Sequence, residues 1–362
     1  MRKAIIIYVV LVFFSGSVFA VGTGYGARSV AMGGTGIATA NDMTAAYYNP
    51  AGIMYGGENL DVQVFAGGTM KSIQDLMEAS SDSSKFFENS FDQDIDYSAT
   101  LNGGFGLSVR RVGISAFAEG YGVINHPASS LIDGTIYGKV TAYTPLTLGS
   151  TFATPGIPIA SMSVGVNIKP ITVMGGGLDV ASRTQEKITG SGFGFDIGAQ
   201  GKLTPLISLG AVVRNLSASV NLIKVSNPIT IAPDGTITGG SPDTVKKYTE
   251  KPGPETGIGV GIVFPLTGTL IACDVENYSL EETINSNKKT SYNDIHLGLE
   301  QGFLFNIIML RMGHFTYGPT KEGYLTYGLG INVGPASIGI AAANNQKTMS
   351  KDIVMAQLGV SF

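Results

Sequence analysis

Along most of this chain apolar and polar residues alternate one by one, the two-residue period of a β-strand with one greasy and one wet face. Phe193, Phe195, Ile197 and Ala199 fall on one face of such a stretch, and Asp196, Gln200 and Lys202 on the other. The same rule sets Ile207, Leu209, Ala211 and Val213 against Ser208 and Arg214, and Ile271, Cys273 and Val275 against Asp274 and Glu276. It also sets Ile295, Leu297 and Leu299 against Asp294, His296 and Glu300, and Ile308, Leu310 and Met312 against Arg311. The pattern predicts fourteen strands, at about 60–66, 97–109, 112–123, 144–154, 160–170, 190–202, 206–219, 256–264, 269–278, 293–301, 305–315, 323–333, 336–343 and 352–362.

The connections sort themselves. Short turns are expected around Arg110-Arg111, Pro155–Pro158, Thr204-Pro205, Pro265–Gly268, Phe303-Leu304 and Gly334-Pro335. They alternate with longer polar loops at 67–96, 124–143, 171–189, 220–255, 279–292, 316–322 and 344–351. A soluble sandwich has no reason to alternate its loops this way. An antiparallel transmembrane β-barrel does, with short periplasmic turns and longer extracellular loops. An even strand number leaves both barrel ends on the periplasmic side. A charge facing lipid at the midplane costs about 2–4 kcal/mol. Asp196, Arg214, Asp274, Glu276, His296, Glu300 and Arg311 are therefore expected to line the lumen, where opposite signs can pair.

Composition narrows the class. Charged residues make up only 14%, glycines number 50 and mean hydropathy is +0.22. A soluble surface usually carries about 25–35% charge, and this chain has no long apolar run beyond its start. The net charge of −4 argues against a nucleic-acid partner. The single Cys273 excludes an internal disulfide and a cysteine-rich metal site. Arg2 and Lys3, the apolar stretch from Ala4 to Phe14 and the small-residue site Val18-Phe19-Ala20 read as a cleaved export signal. That apolar stretch is shorter than the roughly 20 residues of a spanning helix. The expected organisation is a signal peptide at 1–20, a plug at 21–58 and a barrel at 59–362.

The plug region lacks alternation and is rich in small residues that pack closely in a confined lumen. Asn41 or Asp42 is expected to cap a short helix through Tyr48, which Pro50 stops. At the other end Val354, Ala356, Leu358, Val360 and the terminal Phe362 share one apolar face. That ending resembles the signal read by the outer-membrane barrel assembly machinery.

Gly26-Ala27-Arg28-Ser29-Val30-Ala31-Met32-Gly33-Gly34, followed by Ala45-Ala46-Tyr47-Tyr48-Asn49-Pro50-Ala51-Gly52, resembles the N-terminus of FadL-type outer-membrane transporters. It is similar also to that of two relatives, PorV-type secretion barrels and TraF-like conjugative-transfer barrels. Ser163–Lys169, Phe195–Ala199 and Val213-Arg214-Asn215-Leu216 are similar to the TraF-like branch. The FadL resemblance implies a fourteen-strand barrel with a hatch inside its lumen, Asn49, Pro50, Ala51 and Gly52 marking the gate. It also implies passage of fatty acids or other hydrophobic compounds that leave sideways through the wall. This chain is shorter, and no strand kink for such an opening is read from its sequence.

Other motifs are better explained without chemistry. The glycines at 22–26 and 33–36 lack the preceding strand and following helix of a dinucleotide site. Asp92, Asp94 and Asp96 start a calcium-loop spacing, but Tyr97 and Gly103 replace its glycine and final glutamate. His126 lies near Ser129 and Ser130 in an expected loop, yet no G-x-S-x-G occurs. Lys71–Phe91 mixes apolar and polar residues and suits either a greasy docking site or a loop folded over the barrel mouth. No catalytic residue, cofactor or metal is expected. The leading function is passive uptake of hydrophobic, long-chain fatty-acid-like compounds through a hatch-gated outer-membrane barrel. The alternative is a scaffold or shuttle in a secretion or conjugative-transfer system; a general porin is disfavoured by a filled lumen. The expected partners are outer-membrane lipid and lipopolysaccharide, a hydrophobic small molecule, the assembly machinery and, on the alternative, a secretion-system protein.

Overall fold

The computed structural model describes residues 24–56, 60–69, 95–109, 111–126, 135–152, 161–180, 182–231, 237–281, 289–347 and 352–362. Its strands are β1 Asp61–Thr69, β2 Ile95–Val109, β3 Val112–His126, β4 Thr135–Tyr143, β5 Leu146–Phe152 and β6 Ser161–Asp179. There follow β7 Thr184–Lys202, β8 Ile207–Ile231, β9 Ile237–Gly239, β10 Thr244–Glu250, β11 Glu255–Phe264 and β12 Thr269–Glu281. The last five are β13 Lys289–Phe303, β14 Ile308–Tyr317, β15 Glu322–Val333, β16 Ala336–Asn345 and β17 Ile353–Ser361.

β4 and β5 lie end to end between β3 and β6 in a continuous register, so together they form one wall strand. β9 and β10 pair with the far part of β8, beyond the portion that pairs with β11. The rest is a closed antiparallel barrel of fourteen wall strands, with β17 returning to β1 from Asp61↔Ser361 to Thr69↔Ile353. Alternation separates the faces as expected. Val64, Phe105, Phe193, Ile197, Ile258, Leu310, Ile340 and Leu358 belong to a belt of exposed apolar side chains around the outside. Asn167, Asp196, Arg214, Asp274, His296 and Glu300 are buried on the inside. No described helix is long and apolar enough to cross a membrane, so any crossing falls to the strands.

Several expected loops are strand instead. Thr135–Tyr143 is β4, β6 and β7 reach the turn at 180–183, and β8 runs on to Ile231 with β10 beside it. His126 ends β3 rather than sitting in a loop, and its side chain is outside the described residues. The physical reason is that a strand wetted on both faces has no hydrophobic period. Thr244–Glu250, largely exposed, reads TVKKYTE. Gly175–Gly177, Gly190 and Gly192 dilute the pattern further. Lys71–Phe91, Asp92, Asp94, Ser129, Ser130 and the export signal lie outside the described residues.

The wall is least regular across β5 to β8. Pro145 interrupts β4–β5, and Pro170 stands one step away on β6; neither has an N–H to give. Ser115 N–H still reaches Pro145 O at 3.1 Å, and Thr144 N–H reaches Pro170 O at 3.1 Å. Next to Pro170, β7 and β8 slip register between Phe193 and Ile197. There Asn215 and Ser217 adopt left-handed backbone, φ 57° and 52°, a conformation few non-glycine residues take.

Candidate functional site

Gly24–Gly56 lies within the barrel, bonded to strands on opposite sides of it. Its helices are α1 Ala27–Ala31 and α2 Ala45–Tyr48, followed by a 3₁₀ helix at Pro50–Tyr55. The expected cap and stop differ in detail. Asp42 Oδ1 accepts from Thr44 N at 2.8 Å, a turn ahead of α2 rather than a cap on it. Pro50 does not merely end α2; it opens the 3₁₀ helix, where a missing N–H goes unmissed. Asn49 caps that helix, its Oδ1 accepting from Ala51 N at 3.1 Å.

The segment is held by side chains that satisfy its backbone, which regular secondary structure covers only in part. Ala27 N donates to Gln357 Oε1 at 2.6 Å. Gly33 N donates to Thr326 Oγ1 at 2.9 Å, and that hydroxyl donates on to Ala31 O at 2.9 Å. Asp274 Oδ2 accepts from both Gly36 N (2.7 Å) and Ile37 N (2.8 Å). His296 Nδ1 lies 2.6 Å from Gly33 O; a carbonyl only accepts, so Nδ1 carries the hydrogen. Asn49 Nδ2 bridges Ile37 O (2.8 Å) and Ala199 O (2.9 Å), tying the Asn-Pro-Ala-Gly turn to its own segment and to β7. Gln200 holds Ala38 O at 2.7 Å, and Asn167 holds Ala46 O at 2.7 Å.

Glycines supply the rest of the seat. On β2, β3, β5, β6, β7, β8, β11, β13, β14, β15 and β16 a glycine faces the segment so closely that an added Cβ would press on it. At Gly165 it would land on the Pro50–Ala51 peptide, at Gly198 on the Asn49 amide, at Gly210 on Ile37 O and at Gly313 on the Met32–Gly33 peptide. The remaining wall strands, β1, β12 and β17, present side chains that grip it: Asp61 to Met43 N (3.0 Å), Asp274 and Gln357. Gly52 completes the fit from the inside, pressed against Ala40 O.

Around and just above the segment the paired charges fall into three groups. Lys169 Nζ bonds Asp196 Oδ1 at 2.8 Å and Asn215 Oδ1 at 2.7 Å, beside the irregular part of β8. Arg214 pairs with Glu276 and lies 3.3 Å from Glu255, its guanidinium 5.2 Å from the Tyr47 ring. Glu300 takes Arg28 of the segment through two bonds (2.9 and 3.0 Å) and Arg311 of β14 through one (2.7 Å). Of the seven inner polar residues expected from sequence, Glu300 and Arg311 come together, as do Arg214 and Glu276. Asp274 and His296 meet on the segment's Gly33–Ile37 stretch. Asp196 pairs with Lys169, which alternation alone did not single out. Also missed were Gln357, Thr326, Asn167, Asp61 and Glu119; each is a polar residue on the inner face of its strand, the signal that would have found it.

The two sides of the segment differ. Toward the long loops Tyr25 packs on Tyr47, Phe117 and Phe65, centroids 4.5, 5.1 and 5.7 Å away. Above lie two apolar patches on the inner wall. One is Ile171, Val173, Ile188, Val220 and Leu222 with Tyr137, Tyr143 and Tyr248; the other is Phe315 stacked on Tyr324 (4.6 Å) with Ile353. Toward the short turns is a polar cavity of about 390 Å³, lined by Arg28, Asp42, Asp61, Gln63, Glu300, Arg311, Asn332 and Gln357 among others. Among the described residues no cluster of three or more His, Cys, Asp or Glu could hold a metal ion.

No protein-family model and no curated protein sequence matches the chain. Solved structures do. The toluene transporter TbuX of Ralstonia pickettii superposes with a TM-score of 0.62 over 95% of this chain and 100% of its own, at 14% identity. The fold is that of the FadL-type outer-membrane barrels. The toluene transporter TodX of Pseudomonas putida gives 0.57 over 94% and 99%, at 12% identity. A FadL homologue of Pseudomonas aeruginosa gives 0.54 over 96% and 100%, at 11% identity. Phe362, at the end of the last wall strand, pairs with Leu60 through two backbone bonds and points outward with Leu358 and Val360.

Proposed function

We propose that this protein resides in the outer membrane and takes up hydrophobic compounds through the barrel lumen, with Gly24–Gly56 as the hatch and Asn49, Pro50, Ala51 and Gly52 as its gate. The observation that carries this reading is the apolar, aromatic inner wall on the long-loop side of the hatch, where a soluble solute would gain nothing. Burial there is worth about 25 cal/mol per Å² of apolar surface, so cargo partitions in without an energy source. The toluene transporters that share the fold support the class of cargo; long-chain fatty-acid-like compounds are the finer part of the proposal. Phe362 serves as the assembly signal, and residues 1–20 as a cleaved export signal. A scaffold role in secretion or conjugation is the second reading. The observation favouring it is the β8–β10 sheet, which stands beyond the wall with Lys246, Lys247 and Val245 exposed.

Calorimetry with butylbenzene tests the uptake reading on the purified barrel. Saturable binding is expected, weakened at least about tenfold by Leu222→Asp, which sets a charge in the apolar patch. Absence of saturable hydrocarbon binding would remove the reading. A large steady conductance in planar bilayers would favour a porin instead.

A further inference from the structure

The carboxylates inside the upper lumen are nearly all answered by cations or by backbone. Asp196 has Lys169; Glu276 and Glu255 share Arg214; Asp274 holds two amides; Asp294 accepts from Tyr278 and from Gly318 N at 2.7 Å. Glu119 differs. Its oxygens accept only phenols, Tyr25 at 3.1 Å and Tyr143 at 3.0 Å, and no described Lys, Arg or His lies within ion-pair distance of it. The nearest inward lysine along β4, Lys139, stands opposite Tyr121 and sits 3.9 Å from Glu250. Glu119 is half-buried, while Phe117 and Tyr25 beneath it are closed off, so its free side faces the lumen. Tyr121 shares its strand face, and Tyr137 meets Tyr121 edge to face at 6.3 Å.

We infer that Glu119, held by Tyr25 and Tyr143 with Tyr121 and Tyr137 further up the same inner face, is the recognition site for the ammonium group of an apolar amine, which makes such amines a favoured cargo. The inference rests on the uptake reading above and gives it a headgroup. An ionised carboxylate has about four acceptor positions, and the two phenols occupy two. Aromatic faces attract a cation most strongly where water is scarce. The apolar tail would lie along the Ile171–Leu222 patch, which includes Tyr137 and Tyr143 at its edge. An anionic headgroup meets the reverse, like charge at Glu119 itself.

Three probes of one shape decide it on the full mature chain at pH 7: 4-phenylbutylamine, butylbenzene and 4-phenylbutyrate, by calorimetry. The amine is expected to bind about tenfold tighter than butylbenzene, and the carboxylate weakest. Glu119→Gln should bring the amine level with butylbenzene, read as the ratio of the two affinities in that variant, while Glu119→Asp keeps part of the preference. Equal affinity for amine and hydrocarbon, or a preference that survives Glu119→Gln, overturns the inference while leaving uptake standing. Loss of all butylbenzene binding in the unaltered protein overturns the uptake reading itself. Should Glu119→Gln not assemble, Tyr143→Phe decides. It frees an acceptor on Glu119 and should tighten the amine about twofold relative to butylbenzene; an unchanged ratio refutes the site.

Discussion

One short segment presents two unlike faces. Toward the long loops Gly24–Gly56 offers rings, with Tyr25 and Tyr47 against Phe65 and Phe117, beneath apolar wall patches. Toward the short turns it offers Arg28, Asp42 and Asn41 to a polar cavity closed by Glu300 and Arg311. The difference bears on direction. A greasy molecule resting above would, on passing straight down, exchange apolar contact for water at about 25 cal/mol per Å². The lower cavity therefore suits water better than cargo. The wall on the long-loop side is least regular where Pro145 and Pro170 bring no N–H and β7 and β8 slip register. On the uptake reading proposed above, Gly24–Gly56 is a hatch between a wet space and an apolar wall, and its firm seating is what would keep them distinct.

The seat is where the division breaks most severely. Gly165→Ala puts a methyl group onto the Pro50–Ala51 peptide, which cannot swing aside as a side chain would. Overpacking commonly costs about 1–3 kcal/mol, and here the upper end is expected, seen as a lowered Tm and as protease access to the hatch. Gly239→Ala on β9 is the control, since its methyl group would meet only Gln185 Oε1, at 3.6 Å. Equal Tm values for the two variants would mean that the glycines are not a seat. Next in size is Asp274→Ala, which strips one acceptor from two hatch amides. A bond to a charged group is worth about 1.5–3 kcal/mol; both amides share the single oxygen Oδ2, so the loss is expected near the upper end of one such bond, about 2–3 kcal/mol. Hydrogen exchange at Gly36 and Ile37 reads it directly; amides that stay protected would show that the hatch is held elsewhere.

Much of this was legible in sequence, and the parts that were not share a cause. Alternation marks a strand only while one face meets lipid, so β8 up to about Ser219 and β13 were plain, whereas β10 and the far end of β8 were not. Inner carboxylates such as Asp274 and Glu300 stood out because charge is rare here. The glycine seat did not, since the glycine of Val164-Gly165-Val166 reads as a weak strand residue until a second backbone is known to lie against it. Nor could alternation show that Asn49 reaches β7, a contact 150 positions away. The break at Thr144–Pro145 lay inside the sequence, but only its alignment with Pro170 and Asn215 across three strands makes it a feature of the wall.

The smaller effects test each face alone. Arg28→Met removes the two bonds from the hatch to Glu300; with Arg28 a quarter exposed, about 1 kcal/mol is expected after screening. Small-ion leakage through the barrel should rise, and butylbenzene affinity should hold. Ile188→Val trims one methylene from the upper patch. Such a change costs about 0.5–1 kcal/mol, or about two- to fivefold in butylbenzene affinity, with leakage unmoved. The pair is more telling than either alone. If Ile188→Val opened the barrel to ions, or Arg28→Met loosened the hydrocarbon, the two faces would be coupled through the hatch. The hatch would then act as a lever between the spaces rather than as the wall dividing them.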